Sequence, residues 1–210
     1  MFFNKAFDEI KLLHLTSCAE QIMTTGGGYQ DAIGAIDTGF RLIHFTPGIL
    51  PSIYCEPIHI TAKTKTELQK RVMFVYSGQT RVAKNLLSSI MENYVNNDIS
   101  TIHTLKSIGD IAVEMKNNLI ANDLNAFSKN MIKSFKLNTI LNPHFSNNSI
   151  NTILDFFFNY SDGYMLSGAG NGGFLTILLK ENVIKNDIMH LFNSKFSTST
   201  SKIYDFNLLL

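Results

Sequence analysis

Residues Glu20 to Arg41 read EQIMTTGGGYQDAIGAIDTGFR, and the reading of that stretch governs how the rest of the chain is understood. Gly26, Gly27 and Gly28 run directly into Tyr29, Gln30 and Asp31. Glycine reaches backbone angles closed to other residues and lets a ligand approach the main chain closely. An acid just after such a bend, ahead of an apolar and glycine-punctuated run, has the position of a functional carboxylate. Read alone, the same stretch is a flexible turn with a surface Asp. Its surroundings decide between the two.

Upstream, Phe3, Phe7, Ile10, Leu13 and Ala19 recur at roughly helical spacing, so residues 3–23 are predicted to be a helix that delivers Glu20 and Gln21 to the bend. Downstream, Ile33 to Phe45, interrupted by Gly34 and Gly39, reads as strand, turn, strand. Ile53 to Thr61 reads as a further strand, and Lys63 to Lys70 as a polar loop or a turn of helix. Arg71 to Tyr76, RVMFVY, fits a buried strand. It ends in Ser77-Gly78-Gln79-Thr80-Arg81, and a helical pattern begins at once with Val82, Leu86, Ile90 and Tyr94 on one face. A tight turn between strand and helix suits an anion, because unpaired N–H groups and the helix dipole point into it. The plainer alternative makes Thr80 an N-cap and Arg81 an exposed first-turn residue.

Residues 100–119 and 123–137 are predicted to form two amphipathic helices joined at Ala121-Asn122 and packed on a sheet. A loop with Pro143 follows, then a Phe-rich helix over 149–160 capped by Ser149. The second glycine cluster is Gly168-Ala169-Gly170-Asn171-Gly172-Gly173, leading into a strand over 175–180. A dinucleotide fingerprint stands between a strand and a helix, whereas this cluster precedes a strand, which argues against a Rossmann fold. A helix over 183–192 and a last strand over 202–210 complete the pattern.

The bulk properties narrow the function classes. With 210 residues, 45% hydrophobic content and 16 Phe, the chain is a packed globular protein. Its formal charge of +1 offers no general affinity for nucleic acid or anionic membrane. Apolar runs such as Gly173 to Leu179 are too short to span a bilayer. No signal peptide is visible, and Cys18 and Cys55 lack CxxC spacing, so a reducing, cytoplasmic location is expected. The histidines show no metal-ligand spacing, and no metal site is predicted from protein ligands. The sequons at Asn147 and Asn159 are read as coincidental.

Taken together, these motifs resemble the GHMP kinase superfamily. The branch they resemble contains L-fucokinase, including the kinase half of bifunctional fucokinase/GDP-fucose pyrophosphorylases, with heptose 7-phosphate kinases as near relatives. That branch has E-Q-x-x-T-T-G-G-G-W-Q-D-Q where this chain has Glu20-Gln21-Ile22-Met23-Thr24-Thr25-Gly26-Gly27-Gly28-Tyr29-Gln30-Asp31-Ala32. Its Y-T-G-x-T-R turn is matched by residues 76–81, and its G-A-G-G-G-G-[FY] motif by residues 168–174. The resemblance implies an α+β fold: a GHMP-type C-terminal domain over 46–210, with an antiparallel sheet and packed helices, preceded over 1–45 by a remnant of the N-terminal domain. It implies an ATP-dependent sugar kinase of carbohydrate metabolism and nucleotide-sugar salvage, using ATP and Mg2+. Asp31 takes the catalytic role, and Gly27, Gly28, Tyr29 and Gln30 the sugar pocket. Thr80, Arg81, Gly168, Ala169, Gly170, Asn171, Gly172 and Gly173 lie near the phosphates.

The departures from the pattern matter equally. The family's earlier ATP-cradling motif, P-x-x-x-G-L-G-S-S-A or a variant, has no counterpart before Glu20, and Ala32 replaces the Gln after the catalytic Asp. Tryptophan is absent, so Tyr29 fills a position that is usually Trp. Three readings are therefore carried: a sugar kinase, a non-catalytic sugar-binding or regulatory module, and a subunit completed by a separate N-terminal kinase half. In the third, the Phe-rich helix and the segment near Phe40 would expose apolar surface.

Overall fold

The computed structural model describes residues 9–22, 29–36, 39–46, 48, 52–79 and 84–206. The chain begins with α1 (Glu9–Ile22), α2 (Gln30–Ile36), β1 (Arg41–Thr46), β2 (Ser52–Pro57), α3 (Ala62–Arg71) and β3 (Val72–Tyr76). It continues through α4 (Lys84–Val95), α5 (Ile99–Ile120), α6 (Leu124–Leu141), α7 (Asn148–Phe157), β4 (Ser161–Leu166), β5 (Phe174–Leu179), α8 (Lys185–Lys195) and β6 (Lys202–Asp205). β1 and β2 form an antiparallel hairpin. The remaining strands form one sheet in the order β4-β5-β3-β6, with every pair antiparallel. This is the expected α+β architecture.

β3 and β5 are nearly continuous apolar runs, and each has a neighbour on both sides, so both of their faces need cover. On one face Met73, Val75, Leu175 and Ile177 pack with Ile153 and Phe157 of α7 and Phe192 of α8. On the other, Val72 and Leu178 pack with Leu68 of α3, Leu119 of α5, and Leu124 and Met131 of α6. The period of two along each strand sends alternate residues into the two layers. α6 lies against β4 closely enough that a Cβ on Gly163 would stand 2.8 Å from Ser128 Cα, which makes glycine the residue that fits there. The β4–β5 register also shifts at Ser161/Gly163.

The long helices start where their acids cap them. Asp98 accepts from the Thr101 N–H at 2.7 Å and Asp123 from the Ala126 N–H at 2.9 Å. Asn122, at φ +56°, turns the chain between α5 and α6 as the short link demanded.

Several expectations are corrected. Residues 33–36 are helical rather than extended, because the Ile33 N–H closes a helical bond on Tyr29 O and α2 buries Ala32 and Ile33 against Leu13. Residues 58–61 leave the strand, and Thr61 becomes the N-cap of α3 by accepting from the Thr64 N–H at 3.1 Å. Of the two readings for Lys63 to Lys70, a polar loop or a turn of helix, the helical one holds and extends over Ala62–Arg71, with Leu68 buried. α6 runs on to Leu141, and α7 is capped by Asn147 rather than Ser149, since Asn147 has the extended backbone a cap requires. β4 was not anticipated, because its Ser-Asp-Gly start imitates a turn. Nor does the Phe-rich helix expose its apolar face: Phe156 and Phe157 lie in the core and Phe158 alone of the three is exposed. Residues 3–8 and 207–210, parts of the first predicted helix and last predicted strand, lie outside the described residues.

Candidate functional site

The loop between β4 and β5 turns through left-handed angles at Gly168 (φ +76°), Gly170 (+94°), Asn171 (+59°), Gly172 (+151°) and Gly173 (+82°). At two of these positions space as well as angle demands glycine. A Cβ on Gly170 would stand 2.8 Å from Phe145 Cα and nearer still to its ring. One on Gly172 would stand 2.8 Å from Gln79 O. Such approaches fall well inside normal contact distance.

Hydrogen bonds fasten the loop to the turn that ends β3. The Gly173 N–H donates to Gln79 O at 3.1 Å, and the Ser77 N–H donates to Gly173 O at 2.9 Å. The Asn171 N–H donates to Phe145 O. From the opposite side, Thr200 Oγ1 donates to Gly78 O at 3.0 Å and Ser201 Oγ to Ser77 O at 3.1 Å. Two motifs far apart in sequence, 77–79 and 168–173, thus share one surface. Thr80 and Arg81 follow directly on Gln79 and lie outside the described residues. Ser77 is buried, and its hydroxyl has no hydrogen-bond partner among the described residues.

The other predicted cluster is described in part. Gly27 and Gly28 lie outside the described residues, as does the side chain of Asp31, whose backbone is in the first turn of α2. Gln30 is exposed at the start of that helix. Tyr29 is half-buried, with its ring 5.8 Å from His14 and 5.7 Å from Phe45. Its hydroxyl lies 3.3 Å from His14 Nδ1. These contacts hold the Tyr29 ring between α1 and β1. The contacts of Tyr29 and those of the 168–173 loop form two separate groups.

Sequence reasoning missed Phe145, Asn147 and His14 as members of these clusters, and named Gln79 in the 77–81 turn without its bonds to Asn147 and Gly173. Asn147 carried the one available signal, an Asn directly before a helical pattern. An apolar cavity of about 470 Å³, lined by Phe40, Leu68, Phe74, Met131 and Phe206 among others, lies between the sheet and α5–α6. No predicted site residue lines it.

The perturbed titrations lie away from the glycine loop. The Glu56 carboxyl is held below its ordinary range by the hydrogen bond to His44 and then by Lys116, at 2.9 and 3.1 Å, and so ties the β1–β2 hairpin to α5. Asp98 is lowered by the backbone N–H of Thr101. Burial raises the Tyr164 hydroxyl, whose ring lies edge-on to Phe135 at 5.2 Å. Among the described residues no His, Cys, Asp and Glu side chains group as a metal site.

The chain is 31% identical over 170 residues to a bifunctional fucokinase/GDP-fucose pyrophosphorylase of Arabidopsis thaliana, a match covering 81% of this chain and 16% of that protein. Fucokinase-like, GHMP-type sequence is what this chain carries. An L-fucokinase/L-fucose-1-P guanylyltransferase of Bacteroides fragilis is 28% identical over 182 residues, covering 86% of this chain and 19% of that protein. The fucokinase-like region thus spans less than a fifth of either curated relative. No family model matches it. Its fold is that of GHMP kinase C-terminal domains: a Lactococcus lactis galactokinase complexed with galactose superposes with a TM-score of 0.68 at 12% identity, over 96% of this chain and 60% of that one. Among the described residues of this fucokinase-like chain, no helix is long and apolar enough to cross a membrane.

Proposed function

We propose that this chain is part of an ATP-dependent sugar kinase that phosphorylates a sugar hydroxyl. The observation that carries the reading is the closure of the 168–173 loop on the 77–79 turn, at positions where glycine alone fits, within a chain homologous to fucokinases. In this reading residues 1–45 are the remnant of an N-terminal domain and residues 46–210 the C-terminal domain. Gly27, Gly28, Tyr29 and Gln30 line the sugar pocket. The Asp31 carboxylate takes the proton of the sugar hydroxyl while its oxygen bonds the γ-phosphorus and the bond to ADP breaks. One carboxylate suffices, because phosphoryl transfer is dominated by positioning and charge neutralisation. Thr80, Arg81 and Gly168 to Gly173 flank the phosphates.

The described residues fit that placement as a wall. The N–H groups of Asn171 and Gly173 are committed to protein carbonyls, so the loop contributes shape rather than N–H donors. ATP supplies the transferred phosphoryl group, and Mg2+ enters as its companion ion.

The test is ADP release with L-fucose, mannose and heptose phosphates, using the chain alone and together with a family N-terminal domain. Turnover with one sugar, in the completed protein only, is expected. Sugar-dependent thermal stabilisation without any ADP release would favour a non-catalytic sugar-binding module. That second reading draws on Ala32, which is buried in an apolar cluster where the family pattern has Gln.

A further inference from the structure

Asn147 is the N-cap of α7, and its Oδ1 accepts from the Ile150 N–H at 3.0 Å. Its Nδ2 faces three acceptors at once: Gln79 Oε1 at 2.9 Å, Asn171 O at 3.0 Å and Asn171 Oδ1 at 2.9 Å. Two backbone groups fix the orientation of this amide. The Ile150 N–H requires an oxygen on one side, and the Asn171 carbonyl requires an N–H on the other. The side chain therefore joins three segments far apart in sequence: the turn after β3, the glycine loop, and the helix that carries Phe156 and Phe157 into the core.

We infer that Asn147 is a positioning residue of the nucleotide side of the cleft. It holds the 168–173 loop at a fixed distance from the 77–79 turn through its bonds to Asn171 and Gln79. The inference rests on the kinase reading given above. It also accounts for the sequon at Asn147-Asn148-Ser149: the Asn147 amide nitrogen is occupied within the fold, so this sequon is structural. Asn171 contributes through its angle as well as its side chain, since at φ +59° it presents its carbonyl and Oδ1 to the same nitrogen.

The test separates the clamp from the cap. Asn147→Ser keeps a capping oxygen for the Ile150 N–H but is too short to reach Gln79 and Asn171. Asn147→Asp keeps the shape and the cap while removing the donor. Steady-state turnover of the completed protein, unfolding temperature and amide hydrogen exchange would be measured for both. The expected result is an ATP KM raised about tenfold, the scale of a lost hydrogen-bond network. Sugar KM stays close to the parent value, the unfolding temperature falls modestly in both variants as the lost bonds require, and exchange at the Asn171 and Gly173 amides quickens. An unchanged ATP KM in both variants, with the parent enzyme active, overturns the inference and leaves the kinase reading intact. A parent protein that binds sugar but never turns over ATP removes the kinase reading and the inference with it.

Discussion

Gly34 stands inside α2 with open space where a Cβ would project, whereas Gly170 and Gly172 stand at φ +94° and +151° with protein atoms where theirs would go. Both regions are glycine-punctuated in sequence, yet glycine is required in one and incidental in the other. The 168–173 loop is bonded to Gln79, Phe145 and Asn147 and backs onto the main core through Phe145, which is buried against Phe135. The α1–α2 region is built around Leu13, Ala32 and Ile33, with Tyr29, Ile43, Ile53 and Cys55 packed against them. A glycine count therefore says little about a site. What matters is what a Cβ would meet.

Substitutions can break or sharpen this contrast. The largest effect is expected for Gly170→Ala, which must both strain a left-handed angle and displace Phe145. A loss of about 3 kcal/mol, read by denaturant unfolding, is the expected scale. Gly34→Ala should go the other way, gaining about 0.5–1 kcal/mol, because glycine inside a helix is less favourable than alanine and nothing obstructs the added methyl. A loss at Gly34 matching that at Gly170 would erase the distinction. The smallest effect concerns the link between the hairpin and α5. The Glu56 carboxyl titrates below its ordinary range when folded, so its contribution is present above the unfolded value and fades as pH falls through the folded one. Glu56→Gln should therefore lower the unfolding temperature slightly at neutral pH and converge with the parent in acid, which flattens the acid limb. An acid limb as steep as in the parent would show that this exposed pair carries no linkage.

Much of this was legible in the sequence because the physics was local. RVMFVY and FLTILL are apolar runs with one sensible fate, and the α5–α6 pair announces itself through periodicity and the Ala121-Asn122 link. The motif residues of the 168–173 loop were legible as a set, since consecutive glycines around an Asn imply left-handed turns. Less legible were elements whose outcome depends on distant partners. AKTKTELQKR is almost entirely polar, and what makes it a helix with a place in the core is Leu68 meeting the sheet from the far side. SDGYML reads as a turn until Gly163 is seen to admit Ser128 of α6. Asn147 could not be connected to Gln79 and Asn171 from spacing alone, because all three meet only after the sheet has closed.

The central proposal is that Asp31, which follows the first glycine cluster in sequence, takes the proton of a sugar hydroxyl. Its most direct measurement is kcat for ADP release by Asp31→Asn in the completed protein at saturating sugar and ATP. A fall of about 10²–10⁴-fold with sugar KM retained is the result predicted for a lost general base. Turnover equal to that of the parent would contradict the assignment.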